Sequence, residues 1–478
     1  MNNESLSTGS RISILTIAFL GWFFGGMQIG MTNLIRNANK FLITESGWSE
    51  SLNPEQLNNL IEKWWAFQQC GFLFGAAAGG YIFGKLGDKI GRTRALGISI
   101  IWFSVLTILA KFVEDPFQLL CIRFLACLGI GGCWPNGVAL VSEAWSKIKR
   151  PIMASLIGMA GNIGIFTFAK ISAHNPVDAD TFREVFLLGA LSAPLGVIIL
   201  LFVKESPTWI SAKNSEIKDT SNRKNSPSVF KKPYLGVTFI GIALATVPLL
   251  GGWGCFAWIL PWASEVGSTE LAPNILQTRS IASIIGSGLA AVIAIRVGRR
   301  SCYFVSCLFA LIISQYIFWF SSPTDSNFLI FVAMWGFFNG IFFGWLPFFL
   351  PELFETKVRA TGAGVSFNYG RILTATTIFL TPWLKSVFDG NLQQVGQLTS
   401  LIFIVGMIAV FGNIDINGSA NADLLAAGIS EALITTAFGL IIAVPAIVFY
   451  RYFEQKILNL MSILQANTSL FLDFIYKK

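Results

Sequence analysis

Twelve apolar runs recur along the chain, near residues 12–35, 64–84, 95–113, 117–142, 152–173, 184–203, 233–262, 276–295, 302–321, 327–350, 360–384 and 395–412. Each is about long enough to cross a bilayer as a helix (~20 residues). Between the sixth and seventh lies a polar, basic stretch rich in Lys, Ser and Asn, residues 204–232. A thirteenth run, about 424–450, is left over. The pattern predicts an all-α membrane protein: two six-helix bundles (1–203 and 233–412), a linker between them (204–232), and one extra hydrophobic helix in a tail (413–478).

Cations sort between alternate loops. With the N-terminus inside, Lys85, Lys89, Arg92, Arg94, Lys147, Lys149, Arg150, the 204–232 linker, Arg296, Arg299, Arg300, Lys357 and Arg359 all face the cytoplasm. The other side keeps a scatter, such as Arg36, Lys40, Lys63 and Lys111. This positive-inside asymmetry predicts a cytoplasmic N-terminus and linker, in a bacterial inner membrane. The two halves also repeat. Gly91-Arg92 after the second run returns as Gly298-Arg299 after the eighth (298 − 91 = 207). Glu143 with Arg150 after the fourth returns as Glu352 with Arg359 after the tenth (352 − 143 = 209). Parallel six-helix repeats of this kind build a site near the bilayer midplane.

Composition agrees: 54% of residues are hydrophobic and 13% charged, with mean hydropathy +0.63, far from a soluble domain. The net charge of +8 sits in short loops between apolar runs, so no nucleic-acid partner is expected. The seven cysteines form no CxxC and lie mostly within the runs, as small packing residues. His174, the one histidine, falls in a polar loop. With no nucleophile, metal cluster or paired catalytic acids, neither an enzyme, a cofactor nor a metal is expected. Residues 1–10 are polar and the first run is of spanning length, so no cleavable signal is expected.

The loop after the second run reads Gly84-Lys-Leu-Gly-Asp88-Lys-Ile-Gly91-Arg92-Thr-Arg94. Glycines allow a sharp reversal there, and Asp88 sits among cations and helix ends. This loop resembles the signature loop of the major facilitator superfamily. Three further segments resemble its sugar- and metabolite-porter branches: Glu143 to Arg150, Glu205-Ser206-Pro207-Thr208-Trp209, and Pro351-Glu352 to Arg359-Ala-Thr-Gly362. The resemblance covers about residues 10–405. It implies two six-helix halves moving by alternating access, with Gly84, Asp88, Gly91, Arg92, Glu143, Arg150, Glu205, Arg299, Glu352 and Arg359 as a latch at the cytoplasmic mouth. The alternative for the acid–arginine pairs is ordinary exposed ion pairs, worth under about 1 kcal/mol each. In the second copy of the loop Ile295 stands where the family carries Asp, so that contact is expected to be lost.

The same resemblance implies that runs 1, 4, 7 and 10 line the substrate cavity. Candidate substrate-binding residues are then Gln28, Asn33, Arg123, Asn136, Trp253, Trp258 and Asn339, joined by Arg371 in run 11; Trp134 and Trp345 are further polar-tipped aromatics. A charge within a span is costly, so Arg123 and Arg371 are functional candidates. Snorkelling for Arg123 and a carbonyl clamp for Arg371 are the alternatives. Gly252-Trp253-Gly254 lets a helix bend and present flat rings, whereas Trp262 fits an interfacial aromatic belt. Gly158, Gly161 and Gly164 read as close helix packing. Paired glutamines of sugar porters are missing from run 7. No acid stands in Gly21 to Gln28 where proton-coupled relatives carry one, which leaves the coupling ion open. Arginines without partner acids tilt the reading toward an anionic organic metabolite.

The tail departs from the family. Leu425-Ala-Ala-Gly428-Ile-Ser-Glu431-Ala-Leu-Ile-Thr435-Thr436-Ala-Phe-Gly439 resembles the last membrane helix of the MotA/TolQ/ExbB proton-channel family, beginning as early as Gly406. That resemblance implies proton-path roles for Glu431 and Thr436. The rest of a channel is missing, and the helix would run in the wrong direction after twelve spans, which points to a gene fusion or an assembly join. The expectation is a monomeric transporter of a small polar molecule in a lipid bilayer, secondary active or facilitative. A proton-channel subunit, or a nonfunctional fusion of the two, is the alternative.

Overall fold

The computed structural model describes residues 6–145, 149–174, 179, 181–218, 228–266 and 271–411, with positions 453, 456, 457 and 461 beyond them. Glu431, Thr436 and Lys147 lie outside this set, as do the side chains of Asn33, His174 and Trp253.

In chain order the α-helices of the first half are α1 (Thr8–Gly30), α2 (Thr32–Glu45), α3 (Pro54–Ile90), α4 (Arg92–Leu109), α5 (Pro116–Ala144), α6 (Arg150–His174) and α7 (Ala193–Phe202). A 3₁₀ segment, Glu184–Ser192, leads into α7. Linker helix α8 (Pro207–Lys218) follows. The second half holds α9 (Leu235–Leu250), α10 (Ile259–Val266), α11 (Leu271–Val297), α12 (Arg299–Phe320), α13 (Phe328–Glu352), α14 (Arg359–Val387), α15 (Leu392–Ser400) and α16 (Ile402–Phe411). Among the described residues, nine helical segments are long and apolar enough to span a membrane. Helices α3, α9 and α14 stand in the places of the second, seventh and eleventh runs.

Small residues set the packing, as expected where lipid removes the hydrophobic incentive for helices to associate. A methyl group on Gly26 would stand 2.1 Å from the Gly161 carbonyl oxygen, and one on Gly164 would stand 2.0 Å from that of Phe23. Between the halves, Gly158 abuts the Phe343 carbonyl (1.9 Å to an added methyl) and Gly80 abuts Gly364 and Asn368. Ser155 donates to the Ser287 carbonyl at 2.7 Å. Thus α3 lies on α14, and α6 on α11 and α13, through backbone-to-backbone contact.

The pattern of apolar runs missed three local features. The first run ends at Gly30, and residues 32–45 form the separate helix α2, so Asn33 belongs to α2 rather than to a spanning helix. The seventh run is not one helix: a π-helical turn, Gly251–Cys255, and a 3₁₀ turn, Phe256–Trp258, separate α9 from α10. Trp262 is not part of a lipid-facing belt; it is buried between Phe318 and Phe328. Six of the seven cysteines are buried, Cys121 being exposed.

Candidate functional site

The ends of α3, α5 and α13 and the starts of α4, α6, α12 and α14 meet at one end of the bundle, which carries the basic loops. Here the two halves are joined by a network of charges and helix caps. Helix α14 begins without a capping side chain of its own. Asp88 of the opposite half supplies one: its carboxylate accepts from the N–H groups of Ala360 (3.2 Å) and Thr361 (2.9 Å) and from the Thr361 hydroxyl (2.5 Å). An anion at a helix N-terminus is stabilised by the unpaired N–H groups and the helix dipole. Glu205 does the same for α4, accepting from the N–H groups of Arg92 and Thr93, each at 3.1 Å. Gly91, at φ 111°, makes the turn between α3 and α4, and a methyl there would overlap the Glu205 carboxylate at 2.1 Å.

Arg92 is fully buried at the centre. It pairs with Asp88 (3.1 Å) and Glu143 (3.3 Å), and it donates to the carbonyls of Gly87 (2.8 Å) and, across the halves, Thr356 (2.5 Å). Glu143 also takes Arg359 of the second half at 3.0 Å. The repeat shows in the pairing: Arg299 joins Glu352 as Arg92 joins Glu143, and Arg150 lies in the field of Glu352, Arg359, Arg299 and Glu143. Gly84 sits against the backbone of Ala360 and Thr361.

One arm of the repeat is missing. Ile295, in Asp88's place (295 − 88 = 207), is 56% exposed. The second residue of α14 is Ala360, whose N–H Asp88 caps; the second residue of α6 is Pro151 (360 − 151 = 209), which has no N–H to offer. Acid and donor have both gone from the same corner, so the cross-half cap exists on the α3–α14 side.

The substrate-site candidates separate. Arg123 is 4% exposed, which removes snorkelling as its account; it donates to the Gln28 side-chain oxygen (3.1 Å) and main-chain carbonyl (3.4 Å). Thr107 donates to the same Gln28 oxygen. Asn136 lies away from these, beneath the signature loop, donating to the carbonyls of Phe83 and Gly132. Arg371, 3% exposed, faces the rings of Phe72 and Phe367 at 5.4 and 5.3 Å, and Phe367 stacks on Trp134 at 4.1 Å. Trp345 donates to the Arg299 carbonyl. Trp258 and Asn339 are buried, and neither the Trp258 indole N–H nor either polar atom of Asn339 has a partner.

Arg279, the ninth residue of α11, was not singled out by the pattern of runs, because it lies near the edge of the eighth run (276–295). Its guanidinium carbon is 4.3 Å from the centre of the Phe256 ring and 5.6 Å from that of Trp335. The signal available in the sequence was a cation within the eighth run.

Comparisons with known proteins agree with this geometry. The model of the Major Facilitator Superfamily matches residues 64–376, and that of the MotA/TolQ/ExbB proton channel family matches residues 403–466. The second match starts inside α16, whose Phe403 packs on Gly251 and whose Gly406 packs on Cys307 and Val247; it therefore begins within the helix that fills the twelfth position. NiaP of Bacillus subtilis, to which niacin/nicotinamide transport is ascribed, is 29% identical over 76% of this chain and 86% of its own length. A cis,cis-muconate transport protein of Acinetobacter baylyi is 28% identical over 70% of this chain and 82% of its own. Among solved structures, the proton:xylose symporter XylE superposes with a TM-score of 0.67 at 16% identity, over 85% of this chain and 96% of that one. With a family model covering well over half of its residues and the fold to match, this chain belongs to the Major Facilitator Superfamily and is a multi-pass membrane transporter of small molecules.

Proposed function

We propose that the protein carries a small organic carboxylate across the membrane by alternating access. The basic end serves as the cytoplasmic mouth, and residues Gly84, Asp88, Gly91, Arg92, Glu143, Arg150, Glu205, Arg299, Glu352 and Arg359 form its latch, a reading supported by the contacts between the halves there. The observation that carries the substrate class is the set Arg123, Arg279 and Arg371: three cations inside the spans, none of them in a salt bridge with a carboxylate among the described residues. A charge held in a membrane interior without a counter-charge is costly, and an anionic solute that neutralises it gains accordingly. Niacin and cis,cis-muconate, named for two relatives, are both carboxylates. Contacts such as Glu143–Arg359 and Asp88–α14 span the halves and must part when the mouth opens, which suits a switch.

The test is counterflow in proteoliposomes holding the full-length protein, with labelled nicotinate, benzoate and cis,cis-muconate, and nicotinamide and xylose as neutral probes. Saturable exchange of at least one carboxylate is expected. Exchange of neutral probes alone would sink the carboxylate reading.

A further inference from the structure

Of the three arginines, one is open to a solute. Arg123 is bound to Gln28, and Arg371, although its Nη1 has no partner, is 3% exposed and lies against the rings of Phe72 and Phe367. Arg279 keeps partial exposure, although it lies deep between α11 and the rings of Phe256 and Trp335. Those rings stack on each other with centroids 5.1 Å apart and planes 19° from parallel. Trp335 is fixed in turn by its indole N–H, which donates to Ser314 at 2.8 Å. The guanidinium is therefore positioned by aromatic faces, which hold a cation without consuming its N–H donors.

A second donor faces the same place. Asn339 on α13 is 1% exposed, and both of its polar atoms lack a partner. A buried amide left unpaired is costly, so one in a native fold calls for an explanation such as a ligand contact. The point where a side chain on Gly252 would begin lies 3.7 Å from Nη2 of Arg279 and 3.8 Å from Nδ2 of Asn339. Among the described residues, and apart from its chain neighbours and the local helix backbone, no other group comes within 4 Å of it. Gly252 belongs to the π-helical turn Gly251–Cys255, a distortion often found at functional sites. The scaffold behind the two donors is tight: methyl groups on Gly336 and Gly340 would stand 2.7 and 2.4 Å from the carbonyl oxygens of Arg279 and Ser283.

We infer that Arg279, Asn339 and the bare backbone of Gly252 form the subsite for the substrate's carboxylate, the guanidinium taking its charge and the Asn339 amide donating a hydrogen bond. This rests on the carboxylate reading above and specifies where the anion docks. The glycine is part of the site, because any side chain there would occupy the space between the two donors.

The test uses the same full-length protein and probes, comparing wild type with Gly252→Ala and Arg279→Gln. A methyl on Gly252 makes ordinary van der Waals contact with both nitrogens, so Gly252→Ala is expected to fold. It should raise KM for the transported carboxylate by about tenfold, with little change in kcat. Arg279→Gln should raise it roughly 10- to 100-fold, the loss of a charge-assisted contact, and should erase the preference for nicotinate or benzoate over the matching amide. Should Arg279→Gln fail to fold, Gly252→Ala decides alone. Carboxylate transport with unchanged KM in Gly252→Ala, and in Arg279→Gln where it folds, overturns this subsite and leaves the proposed function standing. A wild-type protein that carries no carboxylate overturns both.

Discussion

On the alternating-access proposal, Gly84 is a point where the closed mouth has little room to yield. A single methyl group there would stand 2.9 Å from the Ala360 carbonyl oxygen, 2.9 Å from the Thr361 Cα and 3.2 Å from the Ala360 carbonyl carbon. All three atoms are backbone of the opposite half, so no side chain can rotate away. To restore an ordinary contact of 3.4 Å, α3 and α14 must part by 0.5 Å (3.4 − 2.9). Overpacking of this kind costs about 1–3 kcal/mol. Because the open mouth lacks the contact, Gly84→Ala should lower the closed-to-open ratio by roughly 5- to 150-fold, and Gly84→Leu by more. Spin labels at Arg94→Cys and Ser301→Cys, both exposed and one on each half, report the separation by pulsed electron resonance. A Cys121→Ser background removes the exposed native thiol. A growing long-distance population is expected in Gly84→Ala. An unchanged distance distribution in folded protein would refute the claim that this contact holds the mouth shut.

Two charges at the mouth carry further predictions, the first read with the same labels. Burial, the largest effect, pushes the Asp88 carboxyl from 3.8 up to about 6, against the opposing pull of Arg92 and of the Thr361 and Ala360 hydrogen bonds. Once the mouth opens and water reaches the group, its ordinary value returns, so the closed state holds the proton more tightly. The resulting bias toward closure is complete below about pH 3.8 and is lost as pH rises through about 6. Acidifying from neutral pH toward about 5 should therefore raise the closed population in wild type and not in Asp88→Asn; equal responses in both would remove Asp88 as the sensor. Glu143→Gln should cost stability rather than merely open the mouth, because it strips a counter-charge from fully buried Arg92 and the partner from Arg359. A loss of about 3 kcal/mol is expected, toward the low end for a broken buried pair since Asp88 remains. Thermal unfolding in detergent reads it, and an unaltered midpoint would place Glu143 outside the network.

Much of the architecture was legible in one dimension. Apolar runs of spanning length located the helices because, in lipid, a backbone must satisfy its own hydrogen bonds. Loop motifs repeated at 207 and 209 residues exposed the two halves. The acid and arginine positions of those loops are brought together at one end, with Glu143 reaching Arg359 across the halves rather than Arg150 beside it. Less visible were breaks inside runs. A window that averages hydropathy passes over the π-helical turn at Gly251–Cys255 and the short break at Leu401 between α15 and α16, since neither interrupts the apolar character.

By itself the sequence displayed the apolar runs that mark a helical membrane protein and the loops that carry the repeated acid and arginine motifs. Those properties depend on composition and local spacing, which a linear chain displays. What each polar residue inside a span does was decided by tertiary contact alone. Arg123, Asn136 and Arg371 look alike in a hydropathy trace, as polar atoms in apolar surroundings. In the folded protein Asn136 is consumed by two carbonyls, Arg123 by Gln28, and Arg371 is enclosed by rings. Arg279 and Asn339, sixty positions apart on different helices (339 − 279 = 60), meet at Gly252 because glycines at 336 and 340 let α13 lie directly on α11. Whether a buried polar group is a brace or a vacancy for a ligand depends on what the rest of the chain brings within hydrogen-bond reach.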